Sequence, residues 1–196
     1  VHGAPAGENA AEYTVKARVP QPDQQTFKTL QEKAELPLLR EKGLRPAQVR
    51  RRVQEMAHKH NGPVRNGEEL KAFIAFLEGV NKDELPHLAA GSGSRAYNKE
   101  WIDAIELENM IHLLKASAKS ALFRTESRGV HYREDYPHTD NDQWLQETVV
   151  KLKDGGLEIT RRPSTFTVIT PPGGVTPYLD MLKKMMEAHS DVGGHH

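Results

Sequence analysis

A long helical pattern that ends in a dense cluster of charges constrains the fold of this chain more than any other feature. The pattern runs from Asn98 to Phe123, and the apolar side chains that it offers for packing are Ile102, Ile105, Met110, Leu113, Leu114, Ala118 and Ala121. Residues 124–137 follow at once and crowd arginines and carboxylates around the single glycine Gly129. Glycine permits a sharp change of direction at the end of a helix. We therefore expect a long helix whose last turn leads into a bend.

The charges of residues 124–137, called the charged block below, are suited to holding such a bend. Glu126, Arg128 and Asp135 are close enough in sequence to interlock. Arginine binds carboxylates or main-chain carbonyls with defined geometry, which fits fixing a loop or docking one domain on another. Composition alone favours a solvated helix end instead. The residues of the block that could hold a bend in this way are Arg124, Glu126, Arg128, Gly129, His131, Arg133, Asp135 and Tyr136.

Three shorter helical patterns precede the long one. The first has an apolar stripe formed by Phe27, Leu30, Ala34 and Leu38, and Pro37 should end or kink this helix. The second starts at Pro46 and stops at Asn61-Gly62-Pro63, and its face consists of Val49, Val53, Ala57 and His60. The third starts near Gly67, with a stripe of Leu70, Phe73, Ile74, Leu77 and Val80. The sequence therefore predicts a mainly α fold built on a three-helix antiparallel bundle of the spectrin-repeat type.

The periodicity changes after the charged block. Thr148, Val150 and Leu152 alternate with polar residues up to a turn at 154–156, after which the alternation resumes. This pattern predicts a small β-hairpin. Residues 165–169 offer a third strand. Thr176, as N-cap before Pro177, predicts a short C-terminal helix whose apolar face consists of Leu179, Leu182, Met185 and Met186.

Composition excludes several kinds of site. The chain contains no cysteine, so it offers no disulfide, thiolate zinc site or cysteine-ligated iron–sulfur cluster. His58 and His60 diverge on a helix, which favours surface histidines over a metal site. No apolar run approaches the roughly 18–20 residues that cross a bilayer. We therefore expect no metal and no direct membrane insertion.

A basic run offers the charge that nucleic-acid binding needs, but its context argues against that function. The run consists of Arg45, Arg50, Arg51, Arg52, His58, Lys59 and Arg65. No aromatic residues are interleaved for stacking on bases, and Lys+Arg and Asp+Glu balance at 27 each. We predict a solvated helix face, or one that meets an acidic partner subunit, and no nucleic-acid binding.

Together with Asp140, Asp142 and Trp144, the charged block resembles a known signature, R-x-E-S-R-G-x-H-x-R-x-D-Y-P. It lies near the C-terminus of the flavoprotein subunits of succinate dehydrogenases and fumarate reductases. Residues 101–110 are also similar to the long helix before that signature, and the likeness covers most of residues 44–152. Adenylylsulfate reductases and L-aspartate oxidases are related alternatives, although Arg133 favours the dehydrogenase and reductase branches.

The resemblance implies an FAD enzyme that passes hydride or electrons between a C4 dicarboxylate and an iron–sulfur partner. The chain contains no G-x-G-x-x-G fingerprint for a dinucleotide, so no catalytic, cofactor-binding or metal residue is carried over. What the resemblance implies instead is a structural or docking role for Arg124, Glu126, Arg128, Gly129, His131, Arg133, Asp135 and Tyr136. FAD is expected only in the intact subunit, and the isolated chain is expected to be catalytically silent. The implied partners are the flavin-binding domain of the same subunit and an iron–sulfur subunit.

The expected organisation has three parts. Residues 1–21 form a linker or a remnant of the flavin-domain end, because the prolines of residues 19–22 keep the backbone extended. Residues 22–137 form the helical bundle domain, and residues 138–196 form the small β element and the C-terminal helix. We expect a cytoplasmic location, peripheral to the inner face of the membrane through partner subunits. A standalone helical interaction module that keeps the signature as scaffold is the alternative from a different functional class.

Overall fold

A computed structural model describes residues 3–168 and 170–183. The chain divides into two units, of which the first ends at Leu36 and the second begins at Pro37. Helix α1, Gly3–Lys16, lies in the first unit and buries no residue. Helix α2, Gln24–Leu39, begins in the first unit and continues two residues past Pro37. The helix therefore ends two residues after the proline at which we expect it to end or kink, within the same helical turn.

Three helices supply the core of the second unit. They are α3, Pro46–His60; α4, Gly67–Gly79; and α5, Lys99–Phe123. The buried side chains of this core are Val49, Val53, Leu70, Phe73, Leu77, Val80, Leu88, Ala104, Leu107, Ile111, Ala118 and Ala121. The stripes predicted for α3 and α4 are confirmed, with Ala57 and Ile74 partly buried against the core. The mainly α character of the fold is confirmed as well.

The packing face predicted for α5 is wrong at three of its seven positions. Ile102, Ile105 and Leu113 are exposed, and the buried face instead carries Leu107 and Ile111. Alanines lie on that same face, at Ala104, Ala118 and Ala121. Small side chains allow the neighbouring helices to approach closely, so the apolar residues on the opposite side of α5 are left in solvent.

Ion pairs between α3 and α5 explain which side of α5 turns inward. Arg50 binds Asp103 at 2.5 Å and Glu106 at 2.8 Å, and Arg45 binds Glu100 at 2.5 Å. Asp103 is buried, which a carboxylate tolerates only when it is paired. The basic run is therefore neither simply solvated nor reserved for a partner subunit, because four of its arginines pair with carboxylates of the same chain: Arg45, Arg50, Arg51 and Arg52.

Irregular turns join α4 to α5. A π-helical turn, Val80–Glu84, is followed by a 3-10 turn, Leu85–His87. The loop that comes next is fixed by Asn98, whose side-chain amide donates 2.8 Å hydrogen bonds to the carbonyls of Ser92 and Ser94. The side-chain oxygen of Asn98 accepts a hydrogen bond from the N–H of Trp101 and so caps α5.

Short strands gather behind the long helix in three pairs. Strand β1, Val64–Arg65, pairs in parallel with β2, Tyr132–Arg133. Strand β3, His138–Asp140, precedes the short helix α6, Asn141–Trp144, and pairs with β6, Val175–Pro177. The predicted hairpin is confirmed as β4, Gln146–Lys153, and β5, Gly156–Pro163. Its two turn residues have φ of 51° and 76°, as a type I′ turn requires.

Two predictions for the C-terminal part are wrong. Residues 165–168 form no strand, and residue 169 lies outside the described residues. Thr176 and Pro177 belong to β6 rather than to a helix start, since Thr176 pairs with Thr139. Proline is tolerated there because Pro177 ends a strand at the edge of a two-stranded sheet. Helical residues begin only at Tyr178 and are described as far as residue 183. The predicted face at Met185 and Met186 lies outside the described residues.

Candidate functional site

A fully buried carboxylate lies at the centre of the charged block. Glu126 accepts hydrogen bonds from Arg128 Nε at 2.8 Å and Arg128 Nη2 at 2.9 Å, and it also pairs with Arg124 Nη1. The backbone N–H of Asp140 donates to Glu126 Oε2 at 2.9 Å. Both carboxylate oxygens therefore have partners, which offsets the cost of taking the charge out of water.

The two arginines around Glu126 connect the end of α5 to the segments that follow it. Arg124 donates to the carbonyls of Trp144 and Gln146, and its guanidinium lies 4.9 Å from the centre of a Trp144 ring. Arg128 donates to the side-chain oxygen of Asn141 at 2.7 Å. Burial lowers the pKa of Arg124, and the charge of Glu126 opposes this effect. The bend is thus tied to both α6 and β4.

Arg133 closes the C-terminal end of α5. Its side chain is almost fully buried, and its Nη1 donates to the carbonyls of Ala121 at 2.8 Å, Leu122 at 3.2 Å and Arg124 at 3.2 Å. The last carbonyls of a helix have no partner within the helix and carry its negative dipole end. One guanidinium therefore supplies both the missing donors and the favourable charge.

Asp135 extends this contact to a second helix. It receives two hydrogen bonds from Arg133, at 2.7 Å and 2.6 Å, and one at 3.0 Å from the N–H of Gly67, the first residue of α4. The hydrogen bonds from Arg133 are the main reason why the pKa of Asp135 lies below its usual value. A single carboxylate thus joins the start of α4 to the cation at the end of α5.

His131 contacts a residue that lies far away in the sequence. Its Nδ1 is 2.8 Å from Nη1 of Arg65. Since arginine can only donate, Nδ1 accepts and the ring proton is carried by Nε2. Burial, followed by the charge of Arg65, lowers the pKa of His131 to about 4. The ring is therefore neutral at physiological pH and serves as a hydrogen-bond acceptor.

The bend itself lies between Arg128 and His131, whose backbones exchange hydrogen bonds of 2.8 and 2.9 Å. Gly129 has φ of 60°, the left-handed region that glycine adopts without strain. Its carbonyl accepts a hydrogen bond from the hydroxyl of Tyr178. Val130 is 88% exposed at the tip. The hydroxyl of Tyr178 thus holds the turn in place, while the apolar side chain of Val130 faces solvent.

All eight predicted residues lie in this one cluster, but only a few of them can meet another surface. Glu126 and Arg133 are inside, whereas Gly129 is exposed and Tyr136 is 41% exposed. The guanidinium of Arg133 lies 5.0 Å from the centre of the Tyr136 ring and supports it. The exposed members of the cluster are therefore the bend around Gly129, Asp135 and Tyr136, while the buried side chains hold them in place.

Sequence reasoning missed several members of the cluster. Ser127 is fully buried, and its hydroxyl accepts from the N–H of Arg133 and donates to the carbonyl of Tyr136. The hydroxyl of Thr139 donates to the carbonyl of Ser127 at 2.7 Å. Serine and threonine commonly make such local backbone contacts in turns, which was the available signal. Tyr178 carried no comparable signal.

Two kinds of feature do not occur in the part of the chain that the structure describes. No three histidine, aspartate or glutamate side chains there are grouped as metal ligands. Over the same residues, none of the helices has both the length and the apolar character needed to span a membrane.

Comparison with known proteins covers most of α3, all of α4 and α5, and the whole charged block. Residues 50–176 match the family described as fumarate reductase flavoprotein C-term. The succinate dehydrogenase flavoprotein subunit of Coxiella burnetii is 34% identical over 133 residues, which are 68% of this chain and 21% of that protein. The fumarate reductase flavoprotein subunit of Mycobacterium tuberculosis is 31% identical over 183 residues, which are 88% of this chain and 31% of that protein. The chain thus spans only about a fifth to a third of these relatives.

Solved structures share the fold. The Mycobacterium smegmatis Sdh1 complex in the apo form matches with a TM-score of 0.72 at 24% identity, over 91% of this chain and 30% of that chain. A quinol–fumarate reductase with menaquinol molecules matches with a TM-score of 0.75 at 23% identity, over 85% of this chain and 30% of that chain.

Proposed function

The chain belongs to the family of fumarate reductase flavoprotein C-terminal domains, and from this we propose that it serves FAD-dependent electron transfer between succinate or fumarate and an iron–sulfur partner. The family match, which contains the core helices α4 and α5 and the entire charged block, carries this proposal. The names of the relatives favour neither an adenylylsulfate reductase nor an aspartate oxidase, and a standalone module finds no support.

Within that subunit the role of the chain is to brace and to dock. The buried contacts of Glu126 and Arg133 support this role, because they hold the bend rigid while Val130 and Tyr136 face solvent. Rigid, exposed side chains lose little entropy on association. The flavin-binding domain of the same subunit is the first partner, and the iron–sulfur subunit is the second.

FAD is held by the flavin-binding domain and not by this chain. The lack of a glycine-rich dinucleotide fingerprint in the sequence supports this division. The isolated chain, mixed with FAD and assayed for succinate-linked dye reduction, should give no turnover above FAD alone. Robust turnover would contradict the proposal.

The docking role is tested with the flavin-binding portion of a related subunit supplied in trans. Val130→Asp places a charge at the tip of the bend without touching the buried ion pairs, so association should weaken by about tenfold or more, while the melting temperature stays unchanged. Leu152→Asp is the matched control, because Leu152 is also exposed but lies on the hairpin. Equal affinity of both variants and the unaltered chain would reject docking through the bend.

Three finer points belong to the same proposal. The antiparallel, spectrin-repeat-like course of the helices is supported by the short connection between α3 and α4. The boundaries at residues 21 and 137 follow the proline-rich segment and the end of the charged block. Attachment at the inner face of the membrane would run through partner subunits.

A further inference from the structure

A cavity between α4, α5 and β5 lies outside the contacts described above. Its volume is about 470 Å³, which falls within the roughly 300–1,000 Å³ typical of small-molecule sites. The apolar part of its lining consists of Ile74, Ala75, Leu122, Phe123 and Ile159. Space of this size and character fits an apolar ligand.

The floor of the cavity is well supported. Ile74 and Leu122 pack against the hydrophobic core. Phe123 meets Trp144 edge to face, with ring centres 5.9 Å apart, which fixes its orientation. Ile159 belongs to the hairpin and lines the cavity from the side of β5. The lining therefore comes from three elements that other contacts already hold in place.

Charge distinguishes the two ends of the cavity. At one end Glu78 and Lys119 are 3.5 Å apart and compensate each other. At the other end Lys71 binds Glu68 at 2.9 Å, but the Glu68 side chain is 88% exposed. Exposed ion pairs contribute at most about 1 kcal/mol, so a carboxylate in the cavity can take the place of Glu68.

Length narrows the ligand further. Lys71 and Glu78 lie on the same helix, seven residues apart, which corresponds to roughly 10 Å along its axis. An extended chain of about eight carbons spans such a distance. We propose that the cavity binds a medium-chain fatty acid as its carboxylate, with the charged group on Lys71 and the chain along Ile74 and Leu122. This proposal does not depend on the function proposed above.

Calorimetric titration of the full chain with octanoate, octanol and octylamine tests the proposal. Octanoate should bind, octanol about threefold to fivefold more weakly because it lacks the charge, and octylamine more weakly still. Lys71→Gln should remove the preference for octanoate over octanol. Lys151→Gln, an exposed lysine of the hairpin, should keep it.

A second pair of variants tests the location. Ala75 and Ala72 are both exposed on α4, but only Ala75 lines the cavity. Ala75→Phe should fill the space and abolish binding, while Ala72→Phe should bind octanoate as the unaltered chain does. Circular dichroism would verify that both variants fold. Absence of octanoate binding, equal affinities for octanoate and octanol, or identical behaviour of the two phenylalanine variants would each overturn the proposal.

Discussion

Glu126 shows how single residues stabilise this protein. Its side chain is fully buried, and both of its oxygens are occupied by guanidinium or backbone donors. In a buried ion pair the attraction and the desolvation penalty largely cancel, but removal of one partner leaves the other charge uncompensated. The residue is therefore far more costly to replace than its net contribution indicates.

Glu126→Gln should lower the free energy of unfolding by about 3 kcal/mol, because Arg124 and Arg128 keep their positions but lose the negative charge. Urea unfolding measures this difference. The control is Glu147→Gln, since Glu147 pairs with Arg162 on the exposed hairpin and should cost less than about 1 kcal/mol. Similar losses in both variants would show that burial of Glu126 has no energetic consequence.

His131 predicts a specific dependence of stability on pH. Its pKa is about 4 in the folded chain, against about 6.5 when unfolded. Between these values the unfolded chain binds more protons, so the free energy of unfolding should fall as the pH is lowered from about 6.5 to about 4. An NMR titration of the ring reports the pKa directly. His131→Gln should reduce this dependence of stability on pH, whereas replacement of the exposed His112 should not. A His131 ring that titrates near 6.5 in the NMR experiment would contradict its buried geometry.

Gly129→Val should destabilise the chain by about 1–2 kcal/mol, because a β-branched residue resists a φ of 60°. Among residues 3–168 and 170–183, no atom lies within 4 Å of the added Cβ, so the cost is one of backbone conformation rather than of collision. The melting temperature should fall by a few degrees. Gly129→Asn should cost less, since asparagine tolerates the left-handed region. Equal melting of both variants and the parent would argue against this bend.

At the scale of elements, α5 is stabilised by side chains at both of its ends. Asn98 caps the first turn and also holds the preceding loop through Ser92 and Ser94. Arg133 binds the carbonyls of the last turn. A helix whose two ends are both capped resists fraying, which keeps its C-terminal residues fixed relative to the bend.

Asn98→Ala should lower the free energy of unfolding by about 2 kcal/mol, since it removes the cap and two loop hydrogen bonds together. Asn109→Ala provides the control, because Asn109 lies in the exposed middle of the same helix and should change stability by less than about 0.5 kcal/mol. Thermal unfolding of the two variants side by side gives the comparison. A loss confined to helix content, without a change in the melting temperature, would exclude the role in the loop.

The elements also show what the sequence can predict. The stripe of α4 has one apolar face, so periodicity alone identified Leu70, Phe73 and Leu77 as core. Apolar residues occur on both sides of α5, and periodicity could not decide between them. The ion pair between Arg50 and Asp103 joins residues of separate helices, and no local pattern encodes it. Periodicity thus predicted the packing face where only one side of a helix is apolar, as in α4, but not where both sides are, as in α5.

At the scale of the whole molecule, the two units differ in how much they bury. Helix α1 buries no residue, while α5 contributes Leu107 and Ile111 to the core of the second unit. An isolated helix of α1's 14 residues is only marginally stable in water. We attribute the cooperative stability of the chain to the second unit.

Hydrogen exchange should distinguish the units. The amides of α1 should exchange nearly as fast as those of an unfolded peptide, because none of its residues is buried in the part of the chain that the structure describes. The amides of Leu107 and Ile111 should exchange only on global unfolding. Mass spectrometry of peptide fragments resolves both regions in one experiment. Comparable protection in α1 and α5 would show that the chain unfolds as one cooperative body.

The candidate site was predictable as a cluster but not as a mechanism. The resemblance of residues 124–137 to the family signature identified the eight predicted residues, whereas composition alone favoured a solvated helix end. Arg65 had been assigned to a basic helix face, although it binds His131. The pairing of β6 with β3 places Tyr178 next to the carbonyl of Gly129, and no periodicity in the sequence predicts this pairing. Contacts that depend on long-range strand pairing were therefore beyond the sequence.

The contacts of Asp135 bear on when this protein can acquire its fold during synthesis. The start of α4 and the end of α5 both leave the ribosome before the aspartate that joins them. Until then the nascent chain holds a helix with an open terminus. A translational pause shortly after α5 would prolong the interval in which this terminus is exposed. A chaperone that binds exposed helix ends would act most effectively during that pause.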